Sequence, residues 1–137
     1  MQKVKILALF LAAALGACGP KVSSPEEISV GGGAYRTVSP SELAEMLKNK
    51  DFLLVNVHIP PAGDIAATDA SIPYDEIQQQ LSQLPTDRNA RIVLYCRSGH
   101  MSTIAAETLV KLGYTNIWEL KGGMQAWKAA GYPLQHN

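Results

Sequence analysis

The stretch Arg91-Ile92-Val93-Leu94-Tyr95-Cys96-Arg97-Ser98-Gly99-His100-Met101-Ser102 decides the fold. Arg91 to Tyr95 reads as a short buried strand that ends on a cysteine. A loop with one glycine follows, and a helical pattern runs from Ser102 to Leu112, with Ile104, Thr108 and Leu112 spaced four apart. A thiol at such a junction lies at a helix N-terminus, among backbone N–H groups that have no partner inside the helix. That setting favours an anion on sulfur, a thiolate or a persulfide. The alternative is an inert cysteine buried at a strand end. Arg97, Ser98 and Gly99 argue against it, because they are poor core residues.

Outward from this stretch, strands and helices alternate. Tyr35–Val38 reads as a strand. Ser39-Pro40-Ser41-Glu42 then signals a helix start, with serine as cap, proline at the first helical position and glutamate three after the cap. Leu43, Met46 and Leu47 supply its apolar stripe. Phe52-Leu-Leu-Val-Asn-Val57 is nearly continuous in apolar residues, as a strand covered on both faces should be. A loop rich in proline, glycine and alanine leads to a very short strand at Ser71–Pro73, and the spacing of Ile77, Leu81 and Leu84 predicts a helix over Tyr74–Leu84. After the central stretch, Gly113 is placed to cap its helix, Asn116–Leu120 is another strand, and Gly122-Gly123 opens a last helix closed by Gly131 and Pro133. Trp118 and Trp127 are expected to be packing residues. The expected fold is α/β, a small parallel sheet of about five strands with helices on both faces.

The N-terminus belongs to a different regime. Lys3 and Lys5 precede an apolar run of ten residues, Ile6 to Leu15, too short to span a bilayer but suited to a secretory signal. It ends in Leu15-Gly16-Ala17-Cys18, which resembles the bacterial lipoprotein signal: leucine, two small residues and the cysteine that receives lipid. That resemblance implies a signal peptide over 1–17, lipidation of Cys18, a flexible lipidated tether over 18–33 and a globular domain over 34–137. An ordinary secreted chain cut near Ala17 and a transmembrane anchor are the alternatives. The expected address is the periplasm-facing cell envelope. With two membranes it would be the outer one, since Gly19 provides no aspartate-type retention signal.

Without Lys3 and Lys5, the 12 acidic groups outnumber the basic ones by two, so no basic excess points to nucleic acid. With Cys18 given to lipid, Cys96 is the one thiol left, and it has no partner for an internal disulfide.

Cys96-Arg97-Ser98-Gly99, with Ser102 close behind, resembles the active loop of rhodanese-type sulfurtransferases. Leu112-Gly113-Tyr114, Ile117, Leu120-Lys121-Gly122-Gly123-Met124, Trp127 and Gly131-Tyr132-Pro133 are similar to the family's C-terminal signature. Leu54-Val55-Asn56-Val57-His58, Gly63-Asp64-Ile65 and Ile72-Pro73 resemble its other signature more loosely.

The resemblance implies that Cys96 takes sulfur from a donor such as thiosulfate or an organic persulfide and becomes a persulfide. The terminal sulfur then passes to cyanide or a thiol, a protein thiol included. It implies substrate binding by Arg97, Ser98, Gly99, His100, Met101, Ser102 and His58, with no cofactor and no metal. A persulfide carrier or sulfur-species binding module without turnover is the alternative.

The chain departs from the family's usual residues at four positions. Met101 stands where a basic residue or threonine is usual, Asn56 and His58 where Asp and Arg are usual, and Asp64 where His is frequent. Met101 removes a donor and should weaken binding of a small dianion more than that of an organic persulfide. His58 and His100 could move a proton to or from the acceptor thiol. A related phosphatase-type loop needs an arginine where Ser102 stands. A Cu(I) site from Cys96, Met101 and a histidine matches no defined spacing.

Overall fold

Four consecutive apolar residues in an extended strand find cover on both sides in the interior of a sheet. Ile92–Tyr95 is there, with all four residues buried. The computed structural model describes residues 24–136 together with Gly16; Cys18, the rest of the signal segment and the first part of the tether lie outside the described residues.

Six strands form one sheet: β1 (Glu26–Val30), β2 (Gly33–Val38), β3 (Leu53–Asn56), β4 (Ala70–Ser71), β5 (Ile92–Tyr95) and β6 (Ile117–Leu120). Their order is β1-β2-β6-β5-β3-β4, parallel throughout except for the antiparallel β1–β2 edge. Three helices, α1 (Pro40–Leu47), α2 (His100–Lys111) and α3 (Gly123–Ala129), divide between the two faces. Ala105, Ala106, Leu109 and Val110 of α2 pack with Val55, Ile92 and Leu94 on one face. Leu43 of α1 and Met124 and Trp127 of α3 pack with Leu54, Val93, Tyr95 and Leu120 on the other. The period-two alternation of β5 therefore assigns Cys96, next in phase after Ile92 and Leu94, to the α2 face.

The helix signals act as the sequence predicts. Ser39 Oγ accepts from the Glu42 N–H at 3.2 Å, and Glu42 Oε2 accepts from the Ser39 N–H at 2.7 Å, a complete capping box. Gly113 and Tyr114 close α2 by donating to the carbonyls of Val110 and Leu109, and Gly131 and Tyr132 close α3 the same way on Lys128 and Trp127. Tyr132 lies against the Trp127 ring with centroids 4.5 Å apart, so Trp127 is a packing residue, as expected.

Three expectations change. The flexible tether over 18–33 is corrected across its second half: 26–30 is strand β1, joined to β2 through a two-residue turn at Gly31-Gly32. Its cause is visible in Glu-Glu-Ile-Ser-Val, where Ile28 and Val30 alternate with polar residues and pack against the α2-face core. The sheet thus begins before residue 34 and has six strands. The helix expected over Tyr74–Leu84 is a run of turns ending in a short 3-10 helix, Leu81–Gln83. Its N–H groups bond mostly three residues back, as from Glu76 to Pro73 and from Leu84 to Leu81, while Ile77 and Leu84 still reach the core. Finally, α2 starts at His100, so His100 and Met101 are helical and the connection from β5 is shorter than a loop reaching Met101.

If β1 is part of the sheet, a chain that begins at Gly33 should lose the burial of Ile28 and Val30. Urea unfolding is expected to show a loss of about 2 kcal/mol. Unchanged stability would restore the tether description.

Candidate active site

Cys96 is the first residue after β5 and is only 1 % exposed. It is the free cysteine among the described residues. Its thiol is held from two sides. The Gly99 N–H donates to Cys96 Sγ at 3.0 Å, and Ser102 Oγ lies 3.4 Å from the same sulfur. Gly99 is the N-cap of α2 with φ +105, a left-handed conformation that turns the chain tightly enough to point its N–H back at the sulfur. The N–H groups of His100, Met101 and Ser102 come next, in the first turn of α2, where no intrahelical carbonyl is available to them. A sulfur anion here meets oriented N–H donors and the positive end of a helix dipole.

The loop is fixed from behind by α3. Met124 N–H donates to the Cys96 carbonyl at 2.8 Å and Gln125 N–H to the Arg97 carbonyl at 2.9 Å. With both carbonyls committed to the start of α3, the loop keeps its N–H groups for the other side. Close approach depends on Gly123. A Cβ there would stand 2.4 Å from the Cys96 carbonyl oxygen and 2.7 Å from the Arg97 carbonyl carbon, and its φ of +59 already favours glycine. The Gly-Gly pair that the sequence offered as a helix opening therefore also seats α3 on the cysteine loop.

The remaining candidates separate into groups. Cys96, Gly99 and Ser102 are in contact. Arg97, Ser98 and His100 are exposed around the thiol. Met101 is half-buried and packs against the α2-face core, so it offers the pocket no polar donor. His58 follows β3 at the same sheet edge; burial holds its imidazole below the ordinary histidine value, and the nearby Arg97 guanidinium adds to this. Its Nδ1 is buried without a hydrogen-bond partner.

The departures at Asn56 and Asp64 answer each other. Asn56 Nδ2 donates to Asp64 Oδ1 at 2.8 Å and to the Gly63 carbonyl, and Asn56 Oδ1 accepts from the His58 N–H at 3.0 Å. Tyr95, which burial pushes up to about 12, gives its hydroxyl hydrogen to Asp64 and accepts from the Ile65 N–H. These bonds tie the 57–65 loop to the sheet and set where His58 stands.

One residue escaped the sequence reading. Glu119, in the middle of interior strand β6, is 3 % exposed and points to the α2 face. Its Oε1 accepts from Ser102 Oγ at 2.7 Å. Burial pushes its carboxyl up to about 7, against the lowering effects of the Ser102 hydrogen bond and Lys121. The signal was present: a glutamate inside Ile117-Trp118-Glu119-Leu120 falls in phase with Ile117, a core position where a carboxylate is out of place.

A groove of about 450 Å³ beside Arg97 includes Lys128 and His136 with Met124 and Leu134.

The chain matches the Rhodanese-like domain family over residues 39–130. It is 33 % identical over 98 residues to a sulfurtransferase of Allochromatium vinosum, covering 70 % of this chain and 90 % of that protein. It is 26 % identical over 106 residues to the thiosulfate sulfurtransferase GlpE of Pseudoalteromonas translucida, covering 71 % and 92 %. Among solved structures, a rhodanese-related protein from Thermoplasma volcanium superposes with a TM-score of 0.63 at 31 % identity, covering 73 % of this chain and 97 % of that one. With the family's sheet, its cysteine loop and relatives named as sulfurtransferases, this chain belongs to the rhodanese-like family.

Proposed function

We propose that the protein is an envelope-anchored sulfurtransferase that carries sulfane sulfur as a persulfide on Cys96. The observation that carries this reading is the Gly99 N–H aimed at Cys96 Sγ at 3.0 Å, at the start of α2. In the first half-reaction the Cys96 thiolate attacks the outer sulfur of the donor. A Cys96 S–S bond forms and the donor's S–S bond breaks. Thiosulfate leaves as sulfite, an organic persulfide as its thiolate. In the second, the acceptor attacks the terminal sulfur and the Cys96 thiolate returns as leaving group. Cyanide leaves as thiocyanate and a thiolate as a persulfide, so charge and electrons balance in both steps. Gly99 and the first-turn N–H groups of α2 serve the anionic persulfide, which is more extended than the thiolate.

Two features favour an organic persulfide over thiosulfate as donor. Met101 is packed on the core and brings no charge to the pocket. The groove beside Arg97, with Lys128 and His136, has room and positive charge for a donor carrying a carboxylate at some distance from its sulfur. His58, kept neutral by burial and by Arg97, suits proton exchange with an acceptor thiol. The burial of Cys96 favours a second reading, a carrier that holds the persulfide for a protein partner.

Anchoring through Cys18 rests on the Leu15-Gly16-Ala17-Cys18 signal after its apolar run. The proposed address is the periplasm-facing envelope, and the absence of an aspartate-type retention signal at Gly19 supports the outer membrane where there are two. Labelled palmitate should enter the protein in bacterial cells and be absent from Cys18→Ser; equal label in the variant would remove the anchor.

Incubation with thiosulfate or an organic persulfide should add the mass of one sulfur atom to the peptide holding Cys96. Cys96→Ser should take up none and turn over at less than about one thousandth of the wild-type rate. Persulfide formation without transfer to any acceptor would select the carrier; no sulfur uptake at all would end both readings. Met101→Arg should raise kcat/KM for thiosulfate about tenfold, the value of one charge-assisted hydrogen bond. An unchanged value would mean that the loop N–H groups already suffice.

A further inference from the structure

Ser102 has one hydroxyl hydrogen and three neighbours. Its Oγ lies 2.7 Å from Glu119 Oε1, 3.2 Å from the Gly99 carbonyl and 3.4 Å from Cys96 Sγ. The Gly99 carbonyl can only accept. Glu119 accepts when ionised and donates when protonated. Cys96 donates as a thiol and accepts as a thiolate or persulfide. Two complete arrangements follow. With Glu119 ionised, Ser102 gives its hydrogen to the carboxylate, and the thiol keeps its proton. With Glu119 protonated, the carboxyl donates to Ser102 Oγ, and the Ser102 hydrogen is free to turn toward a charged sulfur.

We infer that Glu119 is a positioning residue for the sulfur chemistry: acting through Ser102, it and Cys96 share one proton, so charge resides on the sulfur or on the carboxylate but is disfavoured on both. The conversion balances within the chain. The Cys96 proton goes to Ser102 Oγ while the Ser102 proton goes to Glu119 Oε1, leaving a thiolate and a neutral acid. Once sulfur is transferred, the same neutral acid leaves the Ser102 hydrogen free for the persulfide, whose charge outcompetes the neutral Gly99 carbonyl for it. The inference rests on Cys96 being the sulfur-bearing nucleophile.

The surroundings of Glu119 leave this exchange little competition. From α2 it meets Ser102, and from the loop Gly99, whose Cβ position would be 3.4 Å from Oε1. From β2 the titratable neighbour is Tyr35, whose hydroxyl is held above its ordinary value first by burial, with Glu119, Glu107 and Glu26 adding to it. Just past the end of its own strand the cation is Lys121, which is exposed and pairs with Glu26 at 3.3 Å. Burial is the largest influence on Glu119, and it acts toward the protonated form.

The test is a carbon-13 titration that follows Cys96 Cβ and Glu119 Cδ in the wild type, with Cys96 Cβ followed in Glu119→Gln, Ser102→Ala and the double variant. Glutamine keeps a donor toward Ser102 but cannot ionise. In the wild type both signals should respond to both ionisations. In Glu119→Gln the Cys96 midpoint should move about one pH unit lower and become a single step, since a like charge has gone. In the Ser102→Ala background the Glu119→Gln shift should shrink to less than half. Superimposable Cys96 curves for wild type and Glu119→Gln would overturn the proposal, and so would an undiminished shift without Ser102.

Thermal melts report the same carboxyl independently and show whether the variants are folded. The Glu119 carboxyl is raised from an ordinary 4.5 to about 7. Its contribution is therefore fully present below about pH 4.5 and lost as pH rises through about 7. The wild-type Tm should fall over that window relative to the Tm of Glu119→Gln; parallel pH profiles would also overturn the proposal. None of these readouts needs sulfur transfer. Failure here would leave the persulfide on Cys96 standing, and an absence of sulfur uptake would leave the Glu119 titration interpretable.

Discussion

The structure turns on the contact between the start of α3 and the loop that carries the cysteine. The Met124 and Gln125 N–H groups take the carbonyls of Cys96 and Arg97, and a side chain at position 123 would fill the space that makes this contact close. A peptide unit has its N–H and C=O on opposite sides. Committing the carbonyls of Cys96 and Arg97 to α3 therefore turns the Arg97 and Ser98 N–H groups to the other side, and the left-handed Gly99 that follows brings its own N–H to 3.0 Å from Sγ. Two helix N-termini serve one short loop in opposite ways. That of α3 satisfies its carbonyls, and that of α2 is left open for an anion.

The sheet supplies the second level of control through its alternation. Cys96 continues the phase of Ile92 and Leu94, and Glu119 shares that face on the adjacent strand, where its Cα is the ladder partner of Leu94. Ser102, in the first turn of α2, comes down between them. No long-range motion is needed to bring thiol, hydroxyl and carboxyl together, because strand register and helix placement already fix all three. The opposite face holds Tyr95, Asn56 and Asp64 in a separate hydrogen-bonded group that anchors the loop bearing His58.

Much of this was legible in the sequence, and what was missed has identifiable causes. The strand-to-helix junction at Cys96 was readable because an apolar run, a glycine and a helical repeat follow each other in twelve residues. The caps at Ser39, Gly113 and Gly131 were readable because their chemistry is local. Strand β1 was missed because glutamate, serine and glycine dominate its surroundings, and only Ile28 and Val30 carry the alternation. The helix expected over Tyr74–Leu84 had the right apolar spacing, but that spacing does not distinguish an α-helix from turns tightened to three-residue bonds. Within the candidate site, Ser102 and Gly99 lay close to Cys96 in sequence and were found. Glu119 lay seventeen residues beyond Ser102 and came into view only when β6 was laid beside β5.

The presence of Glu119 in the core also has an energetic consequence. An ionised carboxylate in an interior strand, with one hydroxyl as its close partner, is poorly compensated for lost hydration. The fold relieves this by favouring the neutral acid, which can donate as well as accept. A neutral acid is also the form that sends the Ser102 hydrogen toward sulfur. The term that stabilises the core and the term that stabilises the sulfur anion therefore act in the same direction. An apolar residue at position 119 would satisfy the core alone and leave Ser102 with the Gly99 carbonyl as its other acceptor. The hydroxyl would then divide its one hydrogen between that carbonyl and the sulfur. A protonated carboxyl instead fills one Ser102 lone pair and so narrows the directions open to the hydroxyl hydrogen, leaving it the Gly99 carbonyl and the sulfur, of which a charged sulfur is the stronger acceptor.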